Sequence, residues 1–315
     1  MTLTPARDAG PSEGLLPRFQ EGGSPQHLLV TLLGDYWLTR EEHLPSGALV
    51  RLMGEFGVSE VGARSALSRL QRRGLLEHSK RGRHTHYGLT RAAAREILIG
   101  ARRIIAFGSD GAWDGSWTVF AFSLPESRRD TRHAMRSQLR WLGFGLLYDG
   151  VWVSPRASAE AAMQLAKELD VRTATAFVGK GVAGDSHSRA PVAAWNLDEL
   201  RAIYDEFLAD CERLLAAIHS GAMAPAEALV ARTSLMDTYR RFPSLDPELP
   251  LELMPRSWPR PLARDRFHEA FDLLAPLAEV RVRQIIAQFD STISAYAQCY
   301  TTATLIGDGK RVSDK

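Results

Sequence analysis

Apolar residues recur at helical spacing through most of the first hundred residues. The segments QHLLVTLLGDYWL and GALVRLMGEFG predict two helices, from about Pro25 to Trp37 and from a cap at Ser46 to Gly57. A third helix is predicted from about Glu60 to Arg73, because Ser59 is a residue type that caps helix starts. Its packed face is predicted to carry Val61, Ala66, Leu67 and Leu70.

After the third helix the pattern changes from helical to alternating. Gly74 ends the helix, Leu75 and Leu76 open a strand, and HTHYGL returns as a second strand. Between the strands lies a basic turn made of Lys80, Arg81, Gly82 and Arg83. The order of three helices and a hairpin predicts a winged helix-turn-helix over residues 24–100, after a mobile tail over 1–23 that is rich in Pro and Gly.

Residues 101–197 alternate between short apolar strands and amphipathic helices. WTVFAFSL and VRTATAFVG predict strands, and LLYDGVWVSP predicts a strand or a hairpin. RRDTRHAMRSQLRWLGF and ASAEAAMQLAKEL predict helices, the second capped by Ser158. With a further strand near VAAWNL, this order favours a ferredoxin-like split-βαβ sheet with helices on one face. A doubly wound nucleotide fold is the competitor, but the glycine-rich GKGVAGDS at 179–186 lacks phosphate-loop spacing.

Residues 198–298 are predicted to form a helical C-terminal domain, and 299–315 a weakly ordered tail. Five prolines between residues 243 and 259 forbid a continuous helix there and predict an extended crossing. The chain is therefore expected to be an α+β protein with several domains: a winged helix-turn-helix, a ferredoxin-like central α/β domain and a helical C-terminal domain.

Composition narrows the class of protein. The chain is 45% hydrophobic and 24% charged, which is ordinary for a globular protein, and its apolar runs are far shorter than a membrane span. We therefore expect a cytoplasmic protein without a membrane partner. Cys211 and Cys299 are far apart and form no C-x-x-C motif, which predicts reduced, structural thiols.

Positive charge is concentrated in the predicted winged helix. Between Ser59 and Arg95 there are nine Lys or Arg residues against two acidic ones, whereas the whole chain carries a formal net charge of only +2. A local excess of this kind gives sequence-independent affinity for phosphates. We expect double-stranded operator DNA to be the partner, although an Arg-rich composition and a merely solvated helix face remain the alternative for any single arginine.

Specific roles follow from position along the third helix. Its N-terminal part enters the major groove in helix-turn-helix proteins, so Glu60, Arg64, Ser65 and Ser68 are candidates for base reading beside the cap Ser59, with Arg64 the best partner for a guanine. The candidates for phosphate or minor-groove contact are Arg69, Arg72, Arg73, Lys80, Arg81, Arg83 and His84.

Three long segments resemble a known family. PSGALVRLMGEFGVSEVGARSALSRLQRRGLL, WDGSWTVFAFSLPESRRDTRHAMRSQLRWLGFGLLYDGVWVSP and YRRFPSLDPELPLELMPRSWP are similar, in this order, to the signature blocks of the phenylacetic-acid degradation repressor (PaaX) family. The resemblance covers roughly residues 25–290. It implies a homodimeric transcriptional regulator whose central domain is similar to the CRISPR-associated spacer-acquisition endoribonuclease fold.

The resemblance also implies a small-molecule effector that releases the protein from operators of catabolic or biosynthetic genes. Phenylacetyl-coenzyme A, or another acyl-coenzyme A or aromatic molecule, is the expected class. The sequence suggests a site between the central and C-terminal regions, with aromatic walls and cationic anchors at Trp141, Trp152, Trp195, Trp258, Arg240, Arg241, Arg256 and Arg260. Core packing of these tryptophans is the competing interpretation.

The sequence argues against an enzyme and against a resident cofactor. His78, His84 and His86 lack ligand spacing for a metal, and no nucleophile motif for covalent catalysis occurs. In the nuclease relatives an acidic residue ends the first central strand, whereas Ser123 stands there in this chain. A metal-dependent nuclease and an acyl-coenzyme A binding protein remain the alternatives to a ligand-responsive repressor.

Overall fold

A computed structural model describes residues 24–109, 111–156, 158–180 and 190–307. The chain divides into two compact units: one contains the residues up to Ala106, Arg213–Tyr239 and those from Phe267 onward, and the other contains Phe107–Glu212 and Arg240–Arg266. The predicted tail over 1–23 and most of the glycine-rich segment 179–186 lie outside the described residues.

The first unit begins with the predicted helices and hairpin. The bounds are α1 (Pro25–Tyr36), α2 (Ser46–Gly54), α3 (Glu60–Arg72), β2 (Leu76–Arg81) and β3 (His84–Leu89). A short strand β1 (Leu44–Pro45) pairs with β3 and makes the sheet three-stranded. The predicted order of helices and strands is confirmed. The strand β1 was not predicted, because it is too short to show an alternating pattern of apolar and polar residues.

One expectation for this region needs correction, and one helix crosses the predicted domain boundary. Ser46 is the first helical residue of α2 and makes no side-chain cap, because Pro45 occupies the cap position. The helix α4 (Arg91–Ala106) continues through residue 100, where the sequence placed the end of the N-terminal domain. Its buried residues Ala93, Ile97 and Ile105 have helical spacing to that end.

The first unit also contains α8 (Pro225–Tyr239), the larger part of α10 (Arg260–Ala287), α11 (Ser291–Ser294) and α12 (Thr302–Gly307). The prediction of a weakly ordered tail is wrong for residues 299–307. Tyr300 is 6% exposed, Leu305 is 4% exposed, and the Tyr300 amide donates to the Asp35 carbonyl at 3.4 Å. Threonines between the apolar positions obscure the helical periodicity of this segment. Residues 308–315 lie outside the described part of the chain.

The second unit is built around a four-stranded antiparallel sheet. Its elements are β4 (Ser116–Phe122), α5 (Arg129–Trp141), β5 (Gly145–Tyr148), β6 (Val151–Ser154), α6 (Ala159–Glu168) and β7 (Ala174–Lys180), and the strand order is β5-β6-β4-β7. The predicted alternation of strands and helices is confirmed, and LLYDGVWVSP forms a hairpin of two strands, β5 and β6. The cap at Ser158 is also confirmed, because its Oγ accepts from the Ala161 amide at 3.0 Å.

Each face of this sheet has its own core. Phe120, Phe122 and Trp152 pack against Met135 and Leu139 of α5 and Ala162, Leu165 and Ala166 of α6, so both helices lie on one face. Trp117, Leu147 and Val153 form the other face, which packs against Trp113, Trp195 and Leu253. The alternation of side chains along β4 and β6 therefore fills two separate hydrophobic layers.

The strand predicted near VAAWNL is wrong. Pro191–Ala194 is a turn of 3-10 helix, closed by a bond from the Ala193 amide to the Ala190 carbonyl at 2.9 Å. Pro191 favours such a turn because its φ is fixed and it has no N–H to donate to a neighbouring strand. The apolar pattern instead places Trp195 against Trp117, with ring centroids 6.4 Å apart.

The rest of the second unit is mainly helical. It contains most of α7 (Leu197–His219) and the short α9 (Phe242–Leu245). The proline-rich segment, in which Leu251–Leu253 forms a 3-10 turn, joins α9 to the start of α10. The expected break in helical structure is confirmed. Within the described residues, no helix is both long enough and apolar enough to span a bilayer.

Candidate nucleic-acid interface

The helix α3 is fixed at its start by Ser59. Its Oγ accepts from the Gly62 amide at 3.2 Å, and its carbonyl accepts from the Ala63 amide at 2.9 Å. These bonds satisfy free N–H groups at the helix start. The predicted cap is thus confirmed, and it sets the direction in which α3 presents its side chains.

One arc of α3 is packed and the opposite arc faces solvent. The packed arc consists of Ala63, Ala66, Leu67 and Leu70, each at most 2% exposed. The exposed arc contains the predicted contact residues Ser59, Glu60, Arg64, Ser68, Arg69, Arg72 and Arg73, with Ser65 partly buried among them. The fold therefore leaves the predicted DNA-contacting side chains of α3 accessible, mainly on the side away from the core.

Val61 does not lie where the sequence placed it. Its side chain is 79% exposed, whereas a position on the packed face was predicted. At 3.6 residues per turn, Val61 lies about 170° from the mean direction of the four buried residues. Helical geometry identifies its exposed position, whereas its apolar side chain alone suggests burial.

Arg64 is partly engaged within its own helix. Its guanidinium lies 3.6 Å from the Glu60 carboxylate, and both side chains are mostly exposed. Pairs of this kind are weak because water and salt screen them. Arg64 can therefore exchange Glu60 for a base or phosphate at little cost.

The hairpin of β2 and β3 presents a second basic group. Gly82 has φ +59° in the two-residue turn between the strands, a left-handed conformation that glycine adopts without strain. Lys80, Arg81, Arg83 and His84 surround this turn and are exposed. The tip of the hairpin is therefore cationic and free of packing constraints.

The histidines in and beside the hairpin make polar contacts with neighbouring residues. The Gln71 side-chain amide lies 2.9 Å from His78 Nδ1, and His43 Nδ1 lies 2.9 Å from Ser79 Oγ. His86 is only 5% exposed, and its Nδ1 lies 3.3 Å from the His84 carbonyl. These histidines have structural partners, and in the described part of the chain no group of three or more His, Cys, Asp or Glu side chains is placed to hold a metal.

The residues proposed for an effector all fall in the second unit but in different surroundings. Trp152 is fully buried between the sheet and its helices, while Trp195 lies on the opposite side of the sheet. Trp141 is 83% exposed and Trp258 is 7% exposed. Arg256 is exposed, and Arg240 and Arg241 are partly buried.

Arg260 is already occupied inside the second unit. Its side chain is 0% exposed, lies 3.2 Å from the Asp246 carboxylate and donates to the Leu249 carbonyl at 2.6 Å. The Tyr204 hydroxyl donates to the same carboxylate at 2.5 Å. This network neutralises the charge and fastens the proline-rich segment, a role that sequence reasoning did not assign to Arg260.

Three family models match the chain in sequence. The description "PaaX-like protein" matches residues 24–93, "PaaX protein central Cas2-like domain" matches 110–191, and "PaaX-like protein C-terminal domain" matches 195–284. The first of these ranges contains α3 and the basic hairpin. The second contains the four-stranded sheet.

The chain is also similar to two known proteins. The chain is 29% identical over 259 residues to the transcriptional repressor PaaX of Escherichia coli (strain K12), a match that covers 80% of each protein. A solved structure of an uncharacterized protein from Mycobacterium tuberculosis superposes with a TM-score of 0.53 and 21% identity, covering 84% of this chain and 98% of the other. The second likeness concerns the fold alone.

Proposed function

Because the chain belongs to the PaaX family, we propose that it is a transcriptional repressor whose winged helix-turn-helix, residues 24–100, binds operator DNA. The similar Escherichia coli protein is named a transcriptional repressor, which also favours a binding protein over an enzyme. In this proposal α3 is the recognition helix and the β2–β3 hairpin is the wing.

The observation that carries the proposal is the capped helix with an exposed polar face. Ser59 fixes the N-terminus of α3, and the side chains of its first two turns are free to meet base edges. We assign base contacts to Glu60, Arg64, Ser65 and Ser68. Phosphate or minor-groove contacts go to Arg69, Arg72, Arg73, Lys80, Arg81, Arg83 and His84.

Two copies of the chain would read two half-sites. Operators of dimeric helix-turn-helix proteins are pseudo-palindromes whose half-sites lie about one helical turn, or a small multiple of it, apart. The regulated genes would belong to a catabolic or biosynthetic cluster. An aryl-acyl-coenzyme A or a related aromatic molecule would lower operator affinity by binding better to the form that does not fit DNA.

Binding to the DNA upstream of the gene itself tests the proposal. A gel-shift titration should give a specific complex for the wild type, a large loss for Arg64→Ala and a weaker but sequence-independent loss for Arg83→Ala. The matched control is Arg172→Ala, since Arg172 is an exposed arginine of the second unit, paired with Asp170 at 3.1 Å. It should bind like the wild type.

The same titration can overturn the proposal. If Arg64→Ala and Arg83→Ala bind like the wild type at every salt concentration, the assignment of α3 and the wing is wrong. Divalent-cation-dependent breakdown of the DNA during the assay, abolished by replacing an acidic residue of the second unit, would instead favour a nuclease.

A further inference from the structure

Val61 occupies the centre of the exposed face of α3. It is the second residue of the helix, and Ser65 and Ser68 follow it after four and seven residues, which places all three on one side. With 79% of its surface exposed, the isopropyl group projects into solvent between polar and cationic neighbours. Glu60, Arg64 and Ser65 are its neighbours along the chain and one turn further on.

The stability of the fold does not account for a valine at this position. The packed arc of α3 is complete without it, since Ala63 and Leu70 are each 0% exposed. A β-branched side chain loses rotamer freedom in a helix, so alanine would suit an exposed position of α3 better. Single exposed apolar residues are common, but this one lies at the centre of the face proposed to meet DNA.

The neighbours of Val61 allow a close approach to a groove floor. Ser65 and Ser68 have short side chains, whereas the long arginines Arg64 and Arg69 lie at the margins of the face. A helix with this profile can bring its short central side chains within van der Waals distance of base edges, while the longer arginines at its margins can extend to a base or a phosphate. Val61 would then be among the first side chains to touch a base.

In the major groove, thymine presents an apolar group, the methyl at C5. A branched alkyl side chain cannot donate or accept a hydrogen bond, so it cannot read the other edges, but it can cover a methyl and remove it from water. We infer that Val61 contacts the C5 methyl of one thymine in each half-site and determines the preference for thymine there. This inference rests on the proposed function.

Deoxyuridine provides the test, because it differs from thymidine only by that methyl and keeps every hydrogen-bonding group. Duplexes are first selected by the wild-type protein from a random pool, and each thymine of the selected half-site is then replaced singly by deoxyuridine. Removal of one contacted methyl should weaken wild-type binding by about fourfold at one position of each half-site.

Val61→Ala should bind the thymine and uracil duplexes equally at that position. Because Val61 is exposed, this variant should fold like the wild type, and circular dichroism checks that it does. Val280→Ala is the matched control, because Val280 is an exposed valine of α10 outside the proposed interface: it should keep the fourfold discrimination at that thymine. The test compares, for each variant, the ratio of its affinities for the thymine and uracil duplexes. The affinity of a variant for one duplex alone does not decide the question.

The outcomes separate this inference from the function on which it rests. If the wild type selects no sequence, the repressor proposal fails. If it selects a sequence but no thymine shows discrimination, or if Val61→Ala keeps the discrimination, the role of Val61 is wrong while the repressor proposal stands.

Discussion

The guanidinium of Arg232 lies 3.4 Å from the carboxylate of Asp35, and the Arg232 side chain is 0% exposed. Arg232 belongs to α8, while Asp35 lies near the end of α1, the first helix of the proposed DNA-binding domain. The same guanidinium donates to the carbonyls of Phe271, at 3.2 Å, and Tyr300, at 2.6 Å. One buried cation thereby joins four segments of the first unit.

Replacement of Arg232 by methionine should destabilise the first unit strongly. The variant leaves the Asp35 charge without its buried partner and removes the donor from two carbonyls, and loss of one member of a buried pair costs about 3–5 kcal/mol. Urea unfolding measures the change. The double variant Asp35→Leu, Arg232→Met should recover part of the loss, because it leaves no buried charge behind.

An exposed pair provides the comparison for that experiment. Arg91 lies 3.6 Å from Glu41, with both side chains almost fully exposed. Glu41→Ala should unfold like the wild type, since screened surface pairs contribute little. Equal effects of Glu41→Ala and Arg232→Met would contradict the role given to the buried pair.

Glu55 should make the first unit sensitive to acid. Two hydrogen bonds from Arg281, both 2.9 Å long, hold the pKa of this carboxyl below its ordinary value of 4.5. A lowered folded pKa contributes stability above the unfolded pKa and loses it as the pH falls through the folded value. The wild type should therefore lose stability below about pH 4.5.

Glu55→Gln isolates this contribution. The variant should be less stable than the wild type at pH 7, by about 1 kcal/mol, and the difference should shrink as the pH falls below 4.5. Glu212→Gln serves as the control, because Glu212 is more than half exposed in its pair with Arg266. A difference for Glu55→Gln that stays constant from pH 7 to pH 3 contradicts the assigned cause.

The cap of α3 should make a measurable contribution to stability. Ser59→Ala removes the acceptor for the Gly62 amide and should cost about 1 kcal/mol. Ser59→Asp keeps an acceptor and should retain most of the stability. Thermal unfolding of both variants tests this, and equal destabilisation by alanine and aspartate would show that the Oγ bond has no such role.

The two cysteines should be inert in the native protein. Both are buried, and burial is the main cause that raises the pKa of each thiol to about 12. Since the thiolate is the reactive form, alkylation by iodoacetamide at pH 8 should be slow until the chain unfolds. Mass spectrometry measures the modified fraction, and rapid labelling of either residue in the native state would contradict this picture.

Much of the fold could be predicted because its signals are local. Ser59, Gly74 and Gly82 mark a cap, a helix end and a hairpin turn, and each acts within a few residues. The predictions of a strand near VAAWNL and of weak order at residues 299–307 were wrong, because contacts with residues distant in sequence determine the structure of both segments. Trp195 packs on a sheet formed far away in sequence, and Tyr300 bonds to the end of α1.

The candidate interface could be predicted in outline for the same reason, since charge and capping are visible in sequence. Its centre could not, because Val61 looks like a core residue unless its angle to Ala63 and Leu70 is considered. The buried arginines Arg232 and Arg260 were hidden in a different way. A buried charge depends on distant partners, here Asp35 and Asp246, that no local pattern connects to it.

Protection of guanine N7 from dimethyl sulfate tests the central proposal most directly, because N7 lies on the floor of the major groove, where Arg64 would bind. The wild type should protect one guanine in each half-site, and that guanine should become methylated again in a saturated Arg64→Ala complex. A specific complex in which every guanine stays reactive, or one whose protection is unchanged in Arg64→Ala, would contradict the placement of α3 in the groove.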